Sequence, residues 1–174
     1  MTACAPAQLD ATYVGDSNTG AYTKAPAGWE SKVIRQDVPF QVRGFWESGG
    51  SQAELLGASS MVSGVVVRRM PTSEAEMDLQ MLARSLAFNL DEAVEAGAVT
   101  FVEGPIPTTI ADLIGQRMVY DLTTPAGIVR VQQVGVIDTV NGKVYGIAVG
   151  CSTACYDARR SQINEIIESF EVTP

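Results

Sequence analysis

The chain has 174 residues, 46% of them hydrophobic and 18% charged, with 20 acidic against 12 basic side chains and a formal charge of −8. That length fits one domain with a proper core, and the acid excess argues against a protein that wraps a phosphate backbone, which needs clustered Lys and Arg. Histidine is absent and there are only three cysteines, which excludes Ser-His-Asp triads, Cys-His pairs, imidazole general bases and both the His-containing and the four-cysteine zinc sites.

Thr2-Ala3-Cys4 matches the tail of a bacterial lipobox, the pattern at which a secreted precursor is cut just before a cysteine that then carries lipid. A complete lipobox also has an apolar residue before the Thr, a place held here by Met1, and an apolar signal segment before that. Cys4 is therefore the expected lipidation site. Ala5 to Gly20 contains Pro6, Asp10, Gly15, Asp16, Asn18 and Gly20, few large apolar groups and no period. Such a stretch buries too little surface to offset its chain entropy and reads as a tether. The expected organisation is a flexible tether over 1–20 and a single domain over 21–174. No run approaches the roughly 20 uninterrupted apolar residues of a membrane span, so membrane attachment, if present, is through a covalent anchor.

The domain begins with Tyr22 to Ile34, where Pro26-Ala27-Gly28-Trp29 marks a turn between two strands and predicts a first hairpin. Val38 to Glu47 reads as a strand. Its adjacent Phe45 and Trp46 must point to opposite faces, so both are buried only if both faces are covered. Ser63 to Met70 holds the β-branched run Val65-Val66-Val67 of a strand buried on both sides. Ser73-Glu74-Ala75-Glu76 is a capping box. The apolar residues that follow it, Leu79, Leu82, Ala83, Leu86, Leu90 and Val94, recur at steps of three and four, and Gly97 suits the helix stop.

Ala98 to Glu103 predicts a short strand, with a turn at Gly104-Pro105-Ile106-Pro107. Gly115 to Thr123, Gly127 to Asp138 and Lys143 to Cys151 then read as three strands in series, the last two joined by Asn141-Gly142, which supplies the positive φ a tight hairpin needs. A final helix starts at Ser152 or Thr153, with Tyr156, Ile163, Ile166, Ile167 and Phe170 as its apolar stripe. The order is that of an α+β protein, a mainly antiparallel sheet packed by helices. Cys151 and Cys155 would meet across the corner between the last strand and this helix. A disulfide there would fit an oxidising compartment, and two reduced thiols would fit the cytosol.

The layout resembles the PsbP-like lipoproteins of the actinobacterial cell envelope, the LpqN/LpqT type. The similarity is carried by Thr2-Ala3-Cys4, Pro26-x-Gly28-Trp29, the meander from Gly115 to Cys151 and the terminal Ile166-x-x-Ser169-Phe170-x-Val172. It spans about Tyr22 to Val172. It implies a PsbP-like α/β/α sandwich, an accessory or binding role, and no shared catalytic centre from which residues could be carried over.

Other signals are weaker. Asp16 to Gly20 resembles the start of a calcium loop, but the place of its bidentate Glu is taken by Ala27. Ser59 and Ser60 lack a G-x-S-x-G setting. Lys24, Lys32 and Lys143 offer no distinctive Ser/Lys spacing. The basic doublets Arg68-Arg69 and Arg159-Arg160 read as solvated faces. The sequence thus points to a membrane-anchored envelope lipoprotein with a non-catalytic binding or accessory domain. It would need no cofactor and no metal, bind no nucleic acid, touch the membrane only through its lipid, and have envelope proteins or small envelope molecules as partners. Two alternatives stay open: a cytosolic protein-interaction module of the same fold, and a hydrolase working with carboxylates or a Ser/Lys pair.

Overall fold

The computed structural model describes residues 11–16, 19–35, 40–47, 61–69 and 90–173. The capping box at Ser73, the apolar residues Leu79 to Leu86, Ser59, Ser60 and Cys4 lie outside them. The strands are β1 (Ala11–Asp16), β2 (Ala21–Pro26), β3 (Trp29–Arg35), β4 (Phe40–Glu47) and β5 (Val62–Arg69). Helix α1 (Leu90–Glu95) follows, then β6 (Val99–Ile110), β7 (Leu113–Thr124), β8 (Gly127–Asp138), β9 (Lys143–Ser152), helix α2 (Thr153–Glu168) and β10 (Glu171–Val172). The class is α+β, as the element order predicts.

The described residues form two sheets. One has seven strands in the order β3-β4-β5-β9-β8-β7-β6, the other three in the order β1-β2-β10, and their pairings are antiparallel. Helix α2 lies over β8 and β9 and also touches β2. It is the wedge between the two sheets. Its buried side chains Tyr156, Ile163, Ile166 and Ile167 join Phe45, Val119, Val134, Tyr145 and Ile147 of the large sheet and Val14, Ala21 and Ala25 of the small one in a single core. The opposite face of the large sheet carries a second cluster, Met118, Tyr120, Val129, Val131 and Ala148, closed by Leu90 of α1. Both faces of the large sheet are thus covered. Phe45 and Trp46, on opposite faces, are 0% and 8% exposed.

The end of α1 is a Schellman motif. The Ala98 amide donates to the Ala93 carbonyl at 2.8 Å and the Gly97 amide to the Val94 carbonyl at 3.0 Å, with Gly97 at φ +70°. At the other end of the domain, Ser169 ties α2 to the small sheet. Its hydroxyl accepts from the Lys24 amide at 2.8 Å and donates to the Ile166 carbonyl at 2.7 Å. Phe170 and Val172, which follow it, are buried. The terminal Ile166-x-x-Ser169-Phe170-x-Val172 pattern is the seam between helix and small sheet.

Three expectations change. The stretch assigned to a tether contains β1, which pairs along its whole length with β2 and turns Val14 into the core. Its composition conceals it because a strand this short is stabilised only by its partner. Next, β2 and β3 do not form a hairpin. They belong to different sheets, and the chain crosses between them at Gly28, whose φ of +83° suits glycine. The crossing sets Trp29 against Phe45, ring centroids 5.8 Å apart. Last, Gly104 to Pro107 is no turn. It lies inside β6, which runs on to Ile110 with register shifts after Phe101 and Glu103 and a cis Gly104–Pro105 peptide. An edge strand tolerates prolines because its outer amides have no ladder partner to lose.

Candidate functional site

The register of β7 and β8 sets Asp121 opposite Arg130, Val119 opposite Gln132 and Arg117 opposite Val134. Since Val119 and Val134 pack in the core beneath α2, alternation puts Arg117, Asp121, Arg130 and Gln132 on that same face. Tyr156, in the first turns of α2, comes down on them. Its hydroxyl donates to Gln132 Oε1 at 2.8 Å, and the Arg130 guanidinium lies 5.8 Å from its ring centroid. Burial pushes the Tyr156 hydroxyl above its ordinary pKa.

Two ion-pair groups flank this tyrosine. On one side Arg130 donates to both oxygens of Asp121, at 2.7 and 2.9 Å, and to Asp157 of α2 at 3.2 Å. The fork-to-fork bond to Asp121 is what raises the guanidinium's pKa further. On the other side Glu103 of β6 accepts from Arg160 of α2 at 3.2 Å and from Arg117 at 3.5 Å. One guanidinium between two carboxylates leaves a negative excess, and one carboxylate between two guanidiniums leaves a positive one. The result is a polar strip with a charged sign at each end. Each of its carboxylates is held by an arginine. Ile106, exposed on β6 opposite Arg117, adds an apolar spot at the positive end.

Arg159 of the basic doublet pairs with Glu47, as Arg160 does with Glu103. Lys24 stands over the Tyr13 ring and Lys143 over that of Tyr145. Among the described residues, no group of three or more acidic or cysteine side chains converges as metal ligands would, and no helix is long and apolar enough to cross a membrane.

Cys151 and Cys155 stand at disulfide distance, with their Cα atoms 5.9 Å apart. Cys151 is buried at the end of β9, and Cys155 sits in the first turn of α2, where its amide donates to the N-cap hydroxyl of Ser152 at 3.4 Å. The pair closes the corner beside the polar strip, with Cys151 opposite Arg130 in the β8-β9 register and Cys155 next to Tyr156 in the chain. No residue of the strip is a candidate site from the sequence alone. Its available signal was Gln132-Gln133, two polar residues inside the apolar run of β8, which must face opposite sides of a sheet that is covered on both. Each takes a tyrosine hydroxyl, Gln132 from Tyr156 and Gln133 from Tyr120 at 3.2 Å.

This architecture is a PsbP-like fold. No protein-family model and no curated sequence matches the chain. Among solved structures it is similar to cyanobacterial PsbP (CyanoP) from Synechocystis sp. PCC 6803, with a TM-score of 0.64 at 11% identity, covering 99% of both chains. It is also similar to LpqN, a protein involved in cell envelope biogenesis of Mycobacterium tuberculosis, with a TM-score of 0.56 at 12% identity over 96% of this chain and 92% of that one. The Ran-binding protein Mog1p of Saccharomyces cerevisiae has a TM-score of 0.52 at 13% identity, over 94% of this chain and 96% of that one. At such identities the likeness is one of fold.

Proposed function

We propose that this chain is an extracytoplasmic, membrane-anchored lipoprotein whose PsbP-like domain binds envelope proteins as an accessory module without making or breaking bonds. The observation that carries the reading is the Cys151–Cys155 pair at disulfide distance, since such bonds persist in oxidising compartments. Thr2-Ala3-Cys4 supplies the anchor. The fold shared with an envelope-biogenesis protein and a Ran-binding protein supports a binding role. The partner surface is the positive end of the polar strip, where Arg117 and Arg160 share Glu103 and Arg117 stands opposite exposed Ile106.

The test places a photocrosslinking residue at Ile106 of the full chain in its host envelope. A discrete protein adduct is expected, lost when Arg160→Glu reverses the charge beside it. An adduct pattern indistinguishable from that of the same crosslinker at exposed Val140 would contradict the assignment.

A further inference from the structure

The strand β1 changes what an anchor at Cys4 would do. From position 4 to Ala11, where β1 begins, there are seven chain steps (11 − 4). Fully extended, they reach at most ~25 Å. A tether running to Gly20 would have let the domain stand well away from a bilayer. With β1 built into the small sheet, a lipid on Cys4 keeps the start of that sheet within ~25 Å of the lipid headgroups whatever the conformation between.

The small sheet has one face to spare. Val14, Ala21, Thr23, Ala25 and Val172 point into the core, so alternation turns Tyr13, Tyr22 and Lys24 outward. Tyr13 is 58% exposed, and the Lys24 ammonium lies 5.4 Å from its ring centroid. Register places Tyr13 directly opposite Lys24. Tyrosine is suited to the headgroup level, where its ring and hydroxyl meet apolar and wet surroundings at once, and an adjacent lysine is drawn to anionic lipid. Glu171 of β10, exposed and set by register opposite Tyr22, lies on this same face and offsets Lys24, so in a chain of net charge −8 the face is a neutral, aromatic one that an anionic bilayer repels less than the rest of the surface.

We infer that the outer face of the β1-β2-β10 sheet is a membrane-apposed surface, with Tyr13, Tyr22 and Lys24 against the headgroups of the bilayer that holds Cys4. The inference rests on the lipoprotein reading. It commits to lipid as the occupant because the leash holds the start of β1 within ~25 Å of the bilayer.

The experiment attaches the unreduced full chain through Cys4 to a maleimide lipid, checks by mass for one lipid per chain, and places it in nanodiscs of phosphatidylcholine and phosphatidylglycerol doped with a gadolinium-chelating lipid. Amide signals of Tyr13, Tyr22 and Lys24 should be lost to paramagnetic broadening while those of Val140 and Ile128 persist. Lys24→Glu should restore the lost signals. Broadening spread evenly over the surface, or strongest away from β1 and β2, would overturn the inference, as would a Lys24→Glu chain broadened in the same pattern as the parent. Because the lipid is installed chemically, either failure leaves natural lipidation of Cys4 to be judged by the mass of the cellular protein.

Discussion

The Tyr156 hydroxyl reaches from helix α2 to the buried side-chain oxygen of Gln132 in the centre of the large sheet, 2.8 Å away. This bond ties the first turns of the helix to β8. Removing it strands a polar acceptor in a desolvated place, which costs more than the bond itself contributes. Tyr156→Phe should therefore lower stability by about 1–3 kcal/mol, read as a drop in the urea midpoint with the slope unchanged. A midpoint equal to that of the parent would mean that the hydroxyl contributes nothing to docking the helix.

The Cys151–Cys155 pair closes a very short loop. In the chain-entropy account such a loop stabilises by about 2 kcal/mol. Reductant should lower the melting temperature modestly and leave the protein folded, because Ile163, Ile166 and Ile167 still hold α2. Alkylation of unreduced, denatured protein should spare both cysteines. Modification of both would contradict the bond.

Acid sensitivity should concentrate on Asp138. Burial alone would push its pKa up, but hydrogen bonds from the Asn141 side chain and the Asn141 and Val140 amides, with Lys143 nearby, outweigh that and hold it below its ordinary value of 3.8. The unfolded chain thus binds the proton more tightly than the folded one. The stabilisation is present above pH 3.8 and is lost as pH falls through the lower folded value. Asp138→Asn should flatten the fall of unfolding free energy with acid below about pH 4. An unchanged slope there would remove Asp138 as its source.

Two glycines should respond differently to a methyl group. A Cβ on Gly115 would stand 1.9 Å from the Gly135 carbonyl oxygen of the neighbouring strand, and backbone cannot step aside cheaply. Gly115→Ala should cost about 1–3 kcal/mol through overpacking. Gly28→Ala meets open space but a φ of +83°, a backbone cost of about 1–2 kcal/mol. Hydrogen exchange separates the two causes. Loss of protection should centre on β7 and β8 for Gly115→Ala, and on the crossing between β2 and β3 for Gly28→Ala.

The sequence makes legible whatever is local and periodic. The β7-β8-β9 meander, the start of α2 at Ser152 and the stop of α1 at Gly97 follow from alternation, capping and a positive φ, each set by neighbours in the chain. What it hides depends on partners far away. The strand β1 exists because β2 is beside it, and β2 parts from β3 because its other partner, β10, comes from the end of the chain. Pro105 and Pro107 suggest a turn until β6 proves to be an edge. The polar strip is hidden for the same reason. Glu103, Arg117, Arg130 and Tyr156 come from four elements, and no spacing announces their meeting. Only Gln132-Gln133 shows in the sequence that polar groups must be satisfied on both faces of one strand.

Intact mass of the protein recovered from its host membrane is the most direct test of the central claim, that this is a lipid-anchored module of an oxidising envelope. The account predicts a chain whose first residue is Cys4 bearing acyl groups, and which is lighter by two hydrogens for the Cys151–Cys155 bond. An unacylated Cys4 with free thiols at Cys151 and Cys155, in protein recovered from the soluble fraction, would contradict it.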